Sequence, residues 1–382
     1  MFEEDELQAV ERVLRSGRVN YWTGDEGRMF EEEFARYVGT PHAVALANGT
    51  VALDAAWQAL GIGPGDEVVV TPRSFMASAA SIALAGGTPI FADVDRESGN
   101  ITPATVERVL SDRTKAILAV HLGGWPCDMP GLEALAKDRG IALVEDCAQA
   151  HGASIDGRKI GSFGDLATWS FCQDKIITTL GEGGMVTTHR ADLWEKIWSL
   201  KDHGKSYDAV YNRPHPPGFR WLHEGFGTNW RLTEVQSAQG RVALRKLEGW
   251  LERRERNAQT YLDALEGLSV VRTPVPSRGV RHAYYRLYVY VQPEALADGW
   301  SRDRIMQEIG SRGVPCFSGS CSEMYLERAF QDAGLAPAER LPVARELGET
   351  SLAFLVHPTI DSGQAGEMAG IVRAVMEEAQ RK

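Results

Sequence analysis

Ser170-Phe171-Cys172-Gln173-Asp174-Lys175 leads through Ile176-Ile177-Thr178-Thr179 into Gly181-Glu182-Gly183-Gly184. A short apolar stretch delivers a lysine, and a glycine cluster then lets the backbone turn before the next apolar run, Met185-Val186-Thr187-Thr188. Most lysines are solvated surface charges. A lysine in a desolvated site can instead lose its proton and form a Schiff base with a carbonyl, which arginine cannot do. Lys175 is read here as the amine that holds a carbonyl cofactor. Ser170 lies just upstream, where a strand end can aim its hydroxyl at a phosphate while the lysine reaches an aldehyde carbon.

Two further stretches supply what such an amine needs. Asn48-Gly49-Thr50 sits where an apolar run gives way to a helical pattern. A helix N-terminus offers unpaired N–H groups and partial positive charge, Gly49 permits close approach, and Thr50 can cap the helix or donate its hydroxyl to a phosphate. Glu145-Asp146-Cys147-Ala148-Gln149-Ala150-His151-Gly152 ends a buried-looking run with a carboxylate. A buried Asp146 needs a partner, and a protonated pyridine nitrogen fits, because the ion pair keeps the ring charged. Phosphate donors, a ring-nitrogen partner and an amine, in this order at the mouths of strands, describe a pyridoxal 5'-phosphate site. Glu145 and His151 can equally serve structure.

The elements that must position these groups are legible as alternation. Apolar runs rich in Val and Ile recur at Ala43 to Leu46, Glu67 to Thr71, Pro89 to Val94, Ala116 to His121, Ala142 to Cys147, Thr168 to Cys172 and Met185 to Thr188. Helical patterns at Val51 to Leu60, Ala77 to Ala85, Pro103 to Leu110 and Gly131 to Arg139 separate the earlier ones. This predicts an α/β chain with a mostly parallel sheet between helices, binding ligands at the carboxyl ends of its strands. Gly204 to Gly227 is irregular, and a long helical pattern from Thr233 to about Leu265 carries Leu244, Leu247 and Leu251 on one face. The last third predicts a smaller α+β domain. The division expected is 1–245 for the large cofactor-binding domain and 246–382 for the small one, joined by the long helix.

Whole-chain properties exclude several classes. A net charge of -11 over 382 residues speaks against a nucleic-acid partner. The acidic N-terminus lacks a signal-peptide pattern and no apolar run is long enough to span a bilayer, so a cytoplasmic protein is expected. The 5 cysteines are scattered without a CxxC pair, and neither a disulfide framework nor a metal site is expected. A nicotinamide enzyme would need a glycine-rich turn after a strand, whereas Gly61 to Gly65 precedes one.

With these motifs in order, the chain resembles the DegT/StrS family of nucleotide-sugar aminotransferases, of aspartate-aminotransferase fold type I. The resemblance runs from about Gly24 to Asp263 and more weakly to His357-Pro358, and includes Gly227-Thr228-Asn229-Trp230-Arg231. It implies transfer of an amino group, with glutamate as donor, to a keto group of a nucleotide-linked sugar; a keto-cyclitol acceptor, a sugar dehydratase or a non-catalytic regulator are the alternatives. Dehydratases of this fold replace the lysine by histidine, so Lys175 argues against that reading. The resemblance implies that Lys175 holds the cofactor and shuttles a proton, Asp146 pairs with the ring nitrogen, and Gln149 lies beside the ring hydroxyl. Gly49, Thr50 and Ser170 would hold the phosphate and Phe75 would stack on the ring. Asn229 would reach the phosphate from the partner subunit of a homodimer with shared active sites. Trp230 stands where the family usually has tyrosine, and Phe354-Leu355-Val356-His357-Pro358 replaces a more proline-rich ending. Tyr21, His203, His215, Arg220 and Arg231 are candidates for the donor carboxylate or the sugar diphosphate.

Overall fold

The computed structural model describes residues 2–218 and 220–381. Its central sheet has seven strands in the spatial order His42–Leu46, Gly184–Thr188, Leu166–Ser170, Ala142–Asp146, Thr114–Val120, Glu67–Val70, Thr88–Phe91. The last five are parallel to one another. Gly184–Thr188 runs antiparallel to both neighbours. The cause is the connection: residues 171–183 form turns and no crossover helix, so the chain doubles back beside Leu166–Ser170.

Helices cover both faces, which is why the strands are apolar almost throughout; Val68, Val69 and Val70 are all fully buried. One face packs Phe30, Phe34, Trp169 and Phe171 with Leu247 and Leu251. The other packs Leu53, Trp57, Val68, Val70, Leu118 and Trp198. The helix Gly49–Leu60 begins at Asn48, whose side chain accepts from the Val51 N–H at 2.9 Å. Asn48 thus takes the capping role that the sequence had left open to Thr50, and it leaves Thr50 inside the first turn.

The helix Glu234–Leu265 is unbroken through Arg245 and Lys246 and starts at a capping box made by Thr233 and Gln236. As far as Leu251 it buries Ala243, Leu247 and Leu251 in the first core, and from Ala258 on it buries Ala258, Tyr261, Leu262 and Leu265 in a separate one. That second body is an antiparallel sheet in the order Val271–Arg272, Leu287–Val291, Ser351–Phe354, Cys316–Phe317, backed by the helices Arg302–Ser311 and Ser362–Ala379. Residues 324–330 return to the large body, where Tyr325 and Phe330 pack edge-on against Phe91. Among its described residues, the irregular stretch from Gly204 contains one short helix, Tyr207–Tyr211, seated on Trp194 and Trp198. Among the described residues no helix is long and apolar enough to cross a membrane.

Candidate active site

At the carboxyl ends of the strands Thr114–Val120, Ala142–Asp146 and Leu166–Ser170, a cavity of about 530 Å³ is lined by Gly49, Thr50, Phe75, Asp146, Gln149, Ser170 and Lys175, among others. Seven of the eight expected cofactor-site residues therefore meet in one place. The eighth, Asn229, lies outside this cavity, exposed, in an isolated bridge with Asp202.

The cavity has an anion cradle at one wall. The N–H groups of Gly49 and Thr50 open the helix and have no intrahelical acceptor. A Cβ built on Gly49 would lie 2.6 Å from Ser170 Cβ, so any side chain at 49 would fill the space before the Ser170 hydroxyl. Gly184 presses on the same turn, since a Cβ there would meet the Asn48 carbonyl oxygen at 2.3 Å. The glycines after Lys175 thus bring the returning strand against the cradle.

Asp146 is 7% exposed. One carboxylate oxygen accepts from the Ser78 hydroxyl at 2.8 Å, which is itself 2.9 Å from the Ser74 hydroxyl, and the other accepts from the Ala148 N–H at 3.1 Å. Gln149 accepts from the Gly123 N–H at 2.7 Å, which fixes its amide. Phe75 is 69% exposed over the opening. Glu145 is structural: its two oxygens accept from the N–H groups of Gly161, Phe163 and Gly164, and its partner His121 lies 3.2 Å away. Because His121 Nδ1 accepts from the Cys127 N–H, Nε2 carries the proton toward Glu145. His121 and Glu145, which lie close to Cys147, are therefore bonded to one another and to the backbone. His151 is buried between Trp169 and Phe171, and burial, then the charges of Lys175 and Arg254, push its pKa down to about 3.

Two residues at the site escaped sequence reasoning. Lys175 Nζ is 3.6 Å from the carboxylate of its neighbour Asp174 and 5.0 Å from the centre of the Tyr285 ring. The Tyr285 hydroxyl donates to Asp174. Burial works against ionisation of Asp174, but this hydrogen bond and the Lys175 charge prevail and hold its pKa below the usual value. Burial and the Asp174 carboxylate push the Tyr285 phenol up.

A sequence profile of the DegT/DnrJ/EryC1/StrS aminotransferase family matches residues 1–373. The chain belongs to this family. It is 35% identical over 374 residues to the dTDP-3-amino-3,4,6-trideoxy-alpha-D-glucose transaminase of Streptomyces venezuelae, covering 98% of this chain and 92% of that one. With the GDP-perosamine synthase of Caulobacter vibrioides it shares 38% identity over 298 residues, 77% of this chain and 76% of the other. Among solved structures, an aminotransferase from Psychrobacter cryohalolentis superposes with a TM-score of 0.98 at 55% identity, covering 99% of this chain and 98% of that one.

In this DegT-family chain two of the expected substrate contacts are spent inside the protein. Tyr21 is 2% exposed and donates to Glu31 at 3.0 Å. Arg231 pairs with Asp202 at 2.7 Å, as does Lys205 at 2.8 Å. Fully buried Lys201 sits 3.8 Å from Glu31 and 3.4 Å from the centre of the Tyr21 ring. This ionic layer anchors the segment that carries Asn229, because the Trp230 N–H donates to the Lys201 carbonyl and the His203 N–H to that of Thr228. His203, His215 and Arg220 are exposed and lie outside the cavity.

Proposed function

We propose that the protein is a pyridoxal 5'-phosphate-dependent aminotransferase that moves an amino group, from glutamate as donor, to a ketone on a nucleotide-linked sugar. The observation that carries this reading is the convergence of an amine, Lys175, and a buried carboxylate, Asp146, in one cavity with a side-chain-free anion cradle at Gly49. The activities for which the Streptomyces and Caulobacter relatives are named, both on nucleotide-linked sugars, support the acceptor class.

The residues present fit the cofactor. Gly49, Thr50 and the Ser170 hydroxyl would hold the phosphate at the helix N-terminus. Asp146, with both oxygens already oriented by Ser78 and Ala148, would keep the ring nitrogen protonated. Phe75 would stack on the ring and Gln149 would lie beside its hydroxyl. When bound, the cofactor supplies an electron sink for the carbon that gains or loses its amine. Lys175 Nζ would take the proton from that carbon and return it, with the Asp174 carboxylate stabilising the ammonium formed in between. Asn229 would complete the phosphate site from the partner subunit of a homodimer, a role consistent with its exposure outside its own cavity. The large domain would span 1–245 and the small one 246–382.

The pyridoxamine form of the protein, mixed with a panel of keto-sugar nucleotides and keto-cyclitols, should regain the visible spectrum of a lysine-bound cofactor only with its true acceptor. Lys175→Ala should lose that visible band and at least a thousandfold in turnover, about 4 kcal/mol of barrier. Turnover that survives in this variant would sink the mechanism.

A further inference from the structure

Residues 71–76 leave the strand Glu67–Val70 and enter the helix Ala77–Leu84. They bring Ser74 and Phe75 to the wall of the cofactor cavity, and Ser78 joins them from the first turn of the helix. A short ladder ties this segment to the loop that follows the small-body strand Cys316–Phe317. The Ser74 N–H donates to the Cys321 carbonyl at 3.1 Å, and the Met324 N–H donates to the Pro72 carbonyl at 3.0 Å. Between these two bonds, fully buried Arg73 donates through Nη1 to the Ser322 hydroxyl. The backbone of Ser74 is thereby fixed from the small body. Both serines are buried, so their hydroxyls need partners within the protein. A serine inside a helix often returns its proton to the carbonyl four residues back. Ser78 instead sends it across 68 positions of sequence to the Asp146 carboxylate, at 2.8 Å. A carboxylate accepts and does not donate, so the one hydroxyl proton of Ser78 is committed there. The 2.9 Å contact between the two hydroxyls then has a single direction, in which Ser74 donates and Ser78 accepts. The chain runs from Ser74 through Ser78 to Asp146, each bond polarising the next. It ends on the carboxylate oxygen opposite the one that accepts from the Ala148 N–H.

We propose that Ser74 and Ser78 are positioning residues that hold the Asp146 carboxylate turned toward the ring nitrogen of the cofactor, with the small-body loop as their anchor, an inference that rests on the pyridoxal 5'-phosphate site proposed above. A carboxylate released at one oxygen can rotate, and its distance from the ring nitrogen decides whether the ring keeps its charge. That charge can be read without turnover. Positive charge on the ring repels a second proton from the nitrogen that joins the cofactor to Lys175. Loss of the ring charge therefore moves the titration of the visible band to higher pH.

The cofactor-loaded, full-length protein can be titrated spectrophotometrically with no substrate present, so the outcome does not depend on which sugar is the acceptor. In Ser78→Ala the midpoint of the visible-band titration should rise by about one pH unit. Ser74→Ala should move it less, in the same direction. The double variant Ser74→Ala/Ser78→Ala should rise no further than Ser78→Ala, because Ser74 acts through Ser78. Asp174, the charge next to Lys175, is unaltered in all three variants. A parent-like titration in Ser78→Ala, whether or not its thermal midpoint falls, would make the hydroxyl a packing group and overturn the proposal. Additive shifts in the double variant would overturn it as well, since Ser74 would then act by another route. A parent protein without the visible band of a lysine-bound cofactor would overturn the cofactor site and the positioning role together, whereas a normal parent band with indifferent variants would overturn the positioning role alone.

Discussion

Asp174 shows how one carboxylate can govern its neighbour. Its pKa is held down by the Tyr285 hydrogen bond and the Lys175 charge against the effect of burial, so it is ionised at neutral pH. Tyr285→Phe removes the donor; Asp174 then takes up a proton at higher pH, and the acid limb of kcat/KM should move upward. Asp174→Asn removes the titration itself, and turnover should fall about a hundredfold, the lower end of the range for a group assisting proton transfer. Comparing pH–rate profiles of the parent and the two variants checks both, and an acid limb that stays in place in Tyr285→Phe would remove Asp174 from the mechanism. Lys175, Asp146 and Ser170 were legible because each ends or follows a strand whose apolar run announces it. Tyr285 was not, because it comes to Asp174 across 111 positions of sequence, from the small body, and no local pattern encodes that contact.

Among the elements, the helix Gly49–Leu60 carries both stability and chemistry, and its cap and first residue separate them. Asn48 closes the helix end by accepting from Val51, and replacing such a cap by alanine costs about 1 kcal/mol. Asn48→Ala should therefore lower the denaturation midpoint. Gly49→Ala places its Cβ 2.6 Å from Ser170 Cβ, so the cradle must open or close over. Cofactor affinity, measured by equilibrium dialysis, should drop at least tenfold, about 1.4 kcal/mol; unchanged affinity would mean that the phosphate is held elsewhere. The strands and helices of the large body were readable because full burial on both sheet faces forces unbroken apolar runs. Two features were not. The antiparallel direction of Gly184–Thr188 depends on the missing crossover helix, which composition does not display, and the choice of Asn48 over Thr50 as cap depends on which residue leaves helical geometry first. The chain also encodes Tyr21 and Arg231 as polar residues near the right motifs, while only three-dimensional packing shows them turned inward to Glu31 and Asp202.

At the scale of the whole molecule, the proposed homodimer turns on the place of Asn229. Asn229 is exposed outside the cavity, on a segment fixed from behind by the Asp202, Lys205 and Arg231 layer. On the stretch of chain that leads to Asn229, Trp221 is 78% and Phe226 101% exposed, and Phe75 at the cavity mouth is 69% exposed. A twofold homodimer would cover them and would bring Asn229 of each subunit to the other's cradle. The arrangement makes a quantitative prediction. Lys175→Ala subunits lack the amine but keep Asn229, and Asn229→Ala subunits keep the amine but lack the asparagine. If Asn229 acts across the interface, a mixed dimer has one cavity with both defects and one with neither. After unfolding and refolding an equal mixture, half of the dimers are mixed and activity should recover to about a quarter of the parent level, from two nearly inactive parents. If Asn229 serves its own cavity, every mixed dimer carries one defect in each site, and mixing should restore nothing.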